Sequence, residues 1–236
     1  MNRIKTCLVL ISLIIISGCK PSVKTKNEFY IVGQMKDVMW KGKLGPSIQL
    51  DTIKNTQGLY GLGPVSYLSG ELLINDGQTY VSRVTSDSTM SVEKNNTISA
   101  PFFVYSNVKD WKIVDLPLEI QSIVQLQNFI TDNSKDLKKP FTFKLKGKVS
   151  KATIHIQNLP KGSKVSSPKE AHQGQVNYKI FDEDCTIVGF YSENHQGIFT
   201  HHDSYLHMHL ITDDEQKMGH LDDVKFEKIQ LYLPKN

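Results

Sequence analysis

The chain has 236 residues, 39% of them hydrophobic and 22% charged, which is ordinary globular composition with no repeat or low-complexity tract. It is long enough to bury a real core, as one large domain or two small ones. A formal charge of +4 carries no nucleic-acid footprint, and three cysteines do not make a disulfide framework.

Met1 to Thr6 carries Arg3 and Lys5, Cys7 to Ile16 is apolar, and Ser17-Gly18 stand directly before Cys19. This order describes a secretory signal over 1–18. The apolar run is well short of the roughly 20 residues a bilayer crossing needs. Ile16-Ser17-Gly18-Cys19 resembles the lipobox of bacterial lipoproteins. The resemblance implies that Cys19 is lipidated, becomes the mature N-terminus and anchors an exported protein to a membrane through a polar tether over 19–27. Lys20 after the cysteine points to the outer membrane or cell surface. Arg3 and Lys5 leave with the signal, so 26 of the 28 basic residues face 24 acidic ones. Cys7 leaves too. With Cys19 acylated, Cys185 is the remaining thiol, and its apolar setting (Cys185 to Phe190) reads as a buried structural cysteine.

Beyond the tether, Glu28 to Val32 and Ser47 to Asp51 read as short strands between turn residues. Glu71-Leu72-Leu73-Ile74 and Thr79-Tyr80-Val81 flank Asn75-Asp76-Gly77; Asp-Gly suits the positive φ angles of a type I′ turn, so this stretch is a hairpin. Pro101 to Tyr105 and Trp111 to Val114 are further strands. Apolar residues at Leu118, Ile123, Leu126, Phe129, Ile130 and Leu137 fall near the 3.6 period and predict a helix over 118–137. Pro117 would sit in its first turn, and Pro140 would help stop it.

From Phe141 to Val149, lysines at 144, 146 and 148 alternate with Phe143, Leu145 and Val149, giving a strand with one wet face. The basic stretch from Lys151 to Lys169 reads as a solvated strand face and flexible loop. Strand alternation returns over 177–181, 185–191, 205–211 and 224–233. The fold class is α/β, strand-rich, with a boundary near Pro140 separating an N-terminal α/β subdomain (28–140) from a C-terminal β subdomain (141–236).

His207-Met208-His209 lies in the strand-like run Tyr205 to Ile211. Residues two apart on a strand point to the same side, about 6–7 Å apart, so both imidazoles can converge on one ion while Leu206, Met208 and Leu210 pack behind. Asp213-Asp214-Glu215 would form a turn that brings His220 back beside the pair. Three neutral imidazoles with open positions make a catalytic type of zinc site. An exposed polar His-x-His is the alternative. His201 and His202 belong to a polar loop and are left out of the ligand set.

Tyr205 to Asp214 followed by Gly219-His220-Leu221 resembles the zinc signature of the α-acetolactate decarboxylases: a His-x-His, a loop with paired Asp, then Gly-His at the same interval of eleven residues. Gly61-Leu62-Gly63, Leu68, Gly70-Glu71-Leu72, Asp76-Gly77 and Tyr80 match a second block of that family, and Thr186 to Phe190 a third. The resemblance covers most of the mature chain. It implies a two-domain α/β fold with mixed and barrel-like sheets, usually dimeric. It also implies zinc on His207, His209 and His220, with Glu71 as an acid/base from the N-terminal domain. The implied reaction is decarboxylation of 2-acetolactate, or a similar 2-hydroxy-3-oxo acid, to acetoin and CO₂. Such an acid can chelate zinc through hydroxyl and carbonyl oxygens, the ion stabilises the enediolate left when CO₂ departs, and a nearby carboxylic acid protonates one face.

Three positions depart from the family pattern. Pro64 stands where the family has a threonine and supplies neither hydroxyl nor N–H. His155 stands where a catalytic arginine is expected, eight residues after Gly147, and offers no guanidinium fork; Lys151 is an alternative cation. The family's C-terminal glutamate has no counterpart beyond Leu233-Pro234. These departures keep a second reading open, a non-catalytic zinc lipoprotein of the same fold that binds a small acid or metal.

Overall fold

The computed structural model of the protein describes residues 28–235. The expected signal segment, Cys19 and the expected tether lie outside the described residues. Among those described, no helix is long and apolar enough to cross a membrane.

The first eight strands are β1 (Phe29–Val32), β2 (Ile48–Gln49), β3 (Leu59–Pro64), β4 (Glu71–Asn75), β5 (Gln78–Val84), β6 (Met90–Lys94), β7 (Ser99–Ala100) and β8 (Phe103–Asn107). Six of them form one sheet in the order β1-β8-β3-β4-β5-β6, and β2 pairs with β7 beside it. The β4–β5 hairpin turns where the sequence places it, with φ of 50° at Asp76 and 84° at Gly77.

The second sheet uses β9 (Trp111–Asp115), β10 (Phe141–Ile156), β11 (Val176–Tyr191), β12 (Leu206–Thr212) and β13 (Met218–Pro234). β10 pairs with β11, β11 with β12, β12 with β13, and β13 returns to β10, so four strands close on themselves as a small barrel. β9 extends β13 at its far end. Sheet membership therefore changes between Asn107 and Trp111, ahead of Pro140. Every ladder between these strands is antiparallel. The expected strand-rich α/β fold with several sheets and a barrel is present, and among the described residues its ladders are antiparallel.

Leu145, Ile154, Ile187, Met208, Leu210 and Leu231 fill the barrel. A second apolar layer joins Leu62, Leu73 and Val104 of the first sheet to Val188, Phe190, Ile211 and Met218 of the barrel. β12 is thus buried on both faces, one toward the barrel interior and one toward the neighbouring sheet. Cys185 is buried in the barrel, and desolvation pushes its thiol up to about 12, as a structural cysteine requires.

The expected helix over 118–137 is shorter: α2 spans Ile123–Asn133, after α1 (Met35–Lys41), which the periodicity did not reveal. Ser122 stops α2 from beginning earlier. Its hydroxyl accepts the Gln125 backbone N–H at 3.3 Å, while the Gln125 side chain accepts the Gln121 N–H at 2.9 Å, a capping arrangement that leaves Pro117 outside the helix. Leu126 and Ile130 dock it on the barrel core. The basic stretch after Lys151 divides between the end of β10, a loop and the one-turn α3 (Pro168–Ala171).

Gly189 shows how tightly the barrel closes. It lies opposite Phe143, and a Cβ there would meet the Phe143 ring at 2.1 Å. Since Phe143 is fully buried, its ring has nowhere to go. Gly189→Ala is expected to lower unfolding stability by about 1–3 kcal/mol, measured as a reduced urea midpoint; an unchanged midpoint would contradict this packing.

Candidate functional site

The β12–β13 hairpin builds the centre. Thr212 N–H donates to the Lys217 carbonyl at 3.0 Å, and the Asp214 carboxylate accepts from the Thr212 hydroxyl at 2.6 Å and the Gln216 N–H at 3.0 Å. This turn sets His209 directly opposite His220. His207, two residues along, shares the face of His209. Ring centroids are 5.3 Å apart for His207 and His209, 5.1 Å for His207 and His220, and 5.5 Å for His209 and His220. All three imidazoles are buried, His209 completely.

Glu71 comes from the other sheet. Gly70 before it has φ of 154°, with the Ser82 carbonyl only 2.4 Å from where a Cβ would stand, so the close β4–β5 approach admits only glycine there. The Glu71 side chain is buried; Oε1 accepts the Gln157 backbone N–H at 3.2 Å, and Oε2 lies 3.7 Å from His209 Nε2. Burial pushes the Glu71 carboxyl well above the usual carboxylate range, the Asp222 charge adds to this, and the Gln157 hydrogen bond only partly opposes it. Its surroundings thus favour the protonated form. Pro64, the last residue of β3, lies opposite Glu71 in the ladder.

His155 lies opposite His220 and stacks on it at 4.5 Å. Asp222 serves both: its carboxylate accepts from His155 Nδ1 at 2.7 and 2.9 Å and from His220 Nδ1 at 3.2 Å. Burial pushes the Asp222 carboxyl up, but the hydrogen bonds from His155 and His220 outweigh it and hold the group below the usual range. An ionised carboxylate only accepts, so both imidazoles carry a proton on Nδ1, and His220, which burial holds in its neutral form, presents a bare Nε2. The side-chain amide of Gln157 donates toward the Nε2 of His155 at 3.4 Å and to Gln175 at 3.3 Å. Lys151, the alternative cation, is exposed along β10 and outside this cluster.

Burial first, and then the neighbouring imidazoles, hold the pKa of His207 and His209 well below the ordinary histidine value and lower that of His220 too. Neutral imidazole is the form that binds metal. His207 Nδ1 and both ring nitrogens of His209 make no hydrogen bond of good geometry, and the nearby Phe199 and Leu72 backbones only partly oppose the downward shift of these rings. Imidazoles on one zinc through bonds of about 2.0–2.1 Å, set tetrahedrally, place their centroids about 5 Å apart, as here. The residues therefore fit the group. The most tightly clustered donors are another set, His155, His220 and Asp222, within 4.8 Å of one another. We assign Asp222 there as the carboxylate that orients its two imidazoles, since its oxygens are already engaged by their N–H groups.

Sequence reasoning brought together Glu71, His155, His207, His209 and His220, and the structure gathers all five. It missed three others. Asp222 follows His220 by two on β13, at a bulge where the pairing jumps from Leu221 opposite Ile154 to Asp223 opposite Thr153; strand period was the available signal. Gln157 stands in the same relation to His155. His201, set aside as a loop residue, has its Nε2 3.0 Å from His220 Nε2, and burial followed by His220 lowers it to about 4.

Two antiparallel sheets enclosing neutral imidazoles and one buried carboxyl define a strand-rich α/β protein with a metal-type acid/base centre. The alpha-acetolactate decarboxylase family model matches residues 30–235, and the chain belongs to that family. Among solved structures, alpha-acetolactate decarboxylase from Bacillus subtilis strain 168 superposes with a TM-score of 0.73 at 22% identity, covering 88% of this chain and 86% of its own. The enzyme from Bacillus subtilis subspecies spizizenii gives 0.71 at 23% identity, with coverage of 88% and 86%. A Staphylococcus aureus protein of unknown function, similar to alpha-acetolactate decarboxylase, gives 0.72 at 18%, with 86% and 84% covered. At these identities the likeness is one of fold. No curated protein sequence matches.

Asp222→Ala frees both His155 and His220. It is expected to weaken zinc binding by about 10–100-fold, measured by chelator competition on protein whose circular dichroism is unchanged; equal affinity would remove Asp222 from the site.

Proposed function

We propose that the protein is a zinc-dependent decarboxylase of 2-acetolactate or a similar 2-hydroxy-3-oxo acid, yielding acetoin and CO₂. One observation carries this beyond family membership: a buried Glu71 carboxyl, whose protonated form burial favours, faces His209 at 3.7 Å from the opposite sheet. His207, His209 and His220 would hold the ion, which when bound supplies Lewis acidity to the substrate's hydroxyl and carbonyl oxygens.

The bond that breaks joins the carboxylate to the hydroxyl-bearing carbon. CO₂ leaves without the electron pair, which passes onto the adjacent carbonyl oxygen as an enediolate. Glu71 then gives its proton to one carbon, fixing the hand of the acetoin, and recovers a proton from water. The Gln157 N–H holds one Glu71 oxygen and leaves the other toward the imidazoles. Packing between the two sheets excludes bulk water from the acid. We assign His155 as a positioning residue: its Nδ1 is held by Asp222 and its Nε2 is turned to the Gln157 side chain, so neither ring nitrogen is free to meet a substrate carboxylate.

The test is purified zinc-loaded protein with acetolactate, following acetoin and CO₂. Glu71→Gln is expected to lower kcat by about 10²–10⁴-fold with zinc retained. Absence of product from the parent protein with zinc bound would overturn the reading. The engaged His155, in place of a free guanidinium, favours the second reading of a family member that binds the acid without turning it over; calorimetric binding without product would establish it.

We also propose export and lipid anchoring through Cys19, supported by the lipobox-like segment. Cells expressing the full chain should incorporate labelled palmitate into the parent and none into Cys19→Ala; equal labelling would refute the anchor.

A further inference from the structure

We propose that His201 is a fourth imidazole donor to the ion held by His207, His209 and His220, carried in from the loop between β11 and β12. This rests on the metal reading above. His201 Nε2 lies 3.0 Å from His220 Nε2, with ring centroids 5.0 Å apart. Since Asp222 draws the His220 proton to Nδ1, the His220 nitrogen at this contact is the bare one. Two nitrogens bound to one ion at about 2.0–2.1 Å and 90–110° stand about 2.9–3.4 Å apart. The two Nε2 atoms therefore already have the spacing of neighbours in one coordination shell. The His201 and His207 centroids are 6.2 Å apart, so His201 stands nearer to His220 than to His207.

The loop is built to hold this residue. Before His201, the carbonyls of Gly197 and Ile198 accept the first N–H groups of α1, Lys36 and Met35, at 2.8 Å each. Phe199 is completely buried against Phe29 and His195. After His201, the Gln127 side chain on α2 accepts from the Ser204 hydroxyl at 3.2 Å and the Tyr205 N–H at 2.8 Å. Three of the four imidazoles stand on paired strands and His201 alone on a loop. It is the donor that can leave when a chelating acid needs two positions.

Zinc alone is the probe. X-ray absorption of the zinc-loaded protein is expected to count four imidazoles in the parent and three in His201→Ala. Zinc affinity by chelator competition should fall more than about 100-fold in that variant, beyond the loss of an outer-shell partner. His201→Asn, closer in bulk, should lose the same imidazole if alanine disturbs the loop, and His202→Ala should match the parent. Three imidazoles in both parent and His201 variants, with equal affinity, would overturn the inference and leave the three-histidine site standing. A parent that binds no zinc would overturn both.

Discussion

The centre depends on one cross-strand pair, His209 against His220, held at the start of a tight antiparallel hairpin. Side chains alternate strictly along a strand, so a slip of one residue would turn His207 and His209 into the barrel interior and bring Met208 out in their place. Register here is fixed from both ends. The Thr212–Asp214–Lys217 turn sets it locally, and Met208 and Leu210 in the barrel core resist any shift. The same strand thus serves stability on one face and chemistry on the other.

Burying that face has a cost that points to its use. Among the described residues, the buried polar atoms without a partner include Gln157 Oε1, His207 Nδ1 and both ring nitrogens of His209. Each orphan of this kind costs about 1–3 kcal/mol, and here they gather in one place beside the buried Glu71 carboxyl. Asp222 prevents a collapse into mutual hydrogen bonding by claiming the Nδ1 protons of His155 and His220. A bound cation offsets the cost at His209 and His207 in a way that no rearrangement of neutral imidazoles can.

Much of this was legible in the chain because the site follows strand period and turn chemistry. His-x-His with a returning histidine, and Gly-Glu ahead of an Asp-Gly turn, are local patterns, and both fold as local patterns predict. α2 was overextended because apolar spacing alone does not mark a helix start; Ser122 and Gln125, which do, are polar. Asp222 was hidden by a bulge that places two carboxylates, Asp222 and Asp223, where regular pairing would allow one to matter. His201 was beyond sequence reasoning for a different reason: nothing local ties a loop residue to a strand nineteen positions away. Its placement is the work of α1, α2 and Phe199 acting together.

The two-sheet layout also explains why the acid and the imidazoles come from different halves of the chain. A carboxyl on β12 or β13 itself would share the charge environment of Asp222 and the solvent near the bulge. Glu71, on β4, reaches the cluster only across the apolar layer formed by Leu73, Val188, Phe190 and Ile211. That layer strips its water and favours its protonated form. The packing that stabilises one sheet on the other is therefore also what tunes the acid. Loosening it would be expected to lower the Glu71 pKa before it disturbed His207, His209 and His220, whose positions are set by hydrogen-bonded ladders rather than by contact between the sheets.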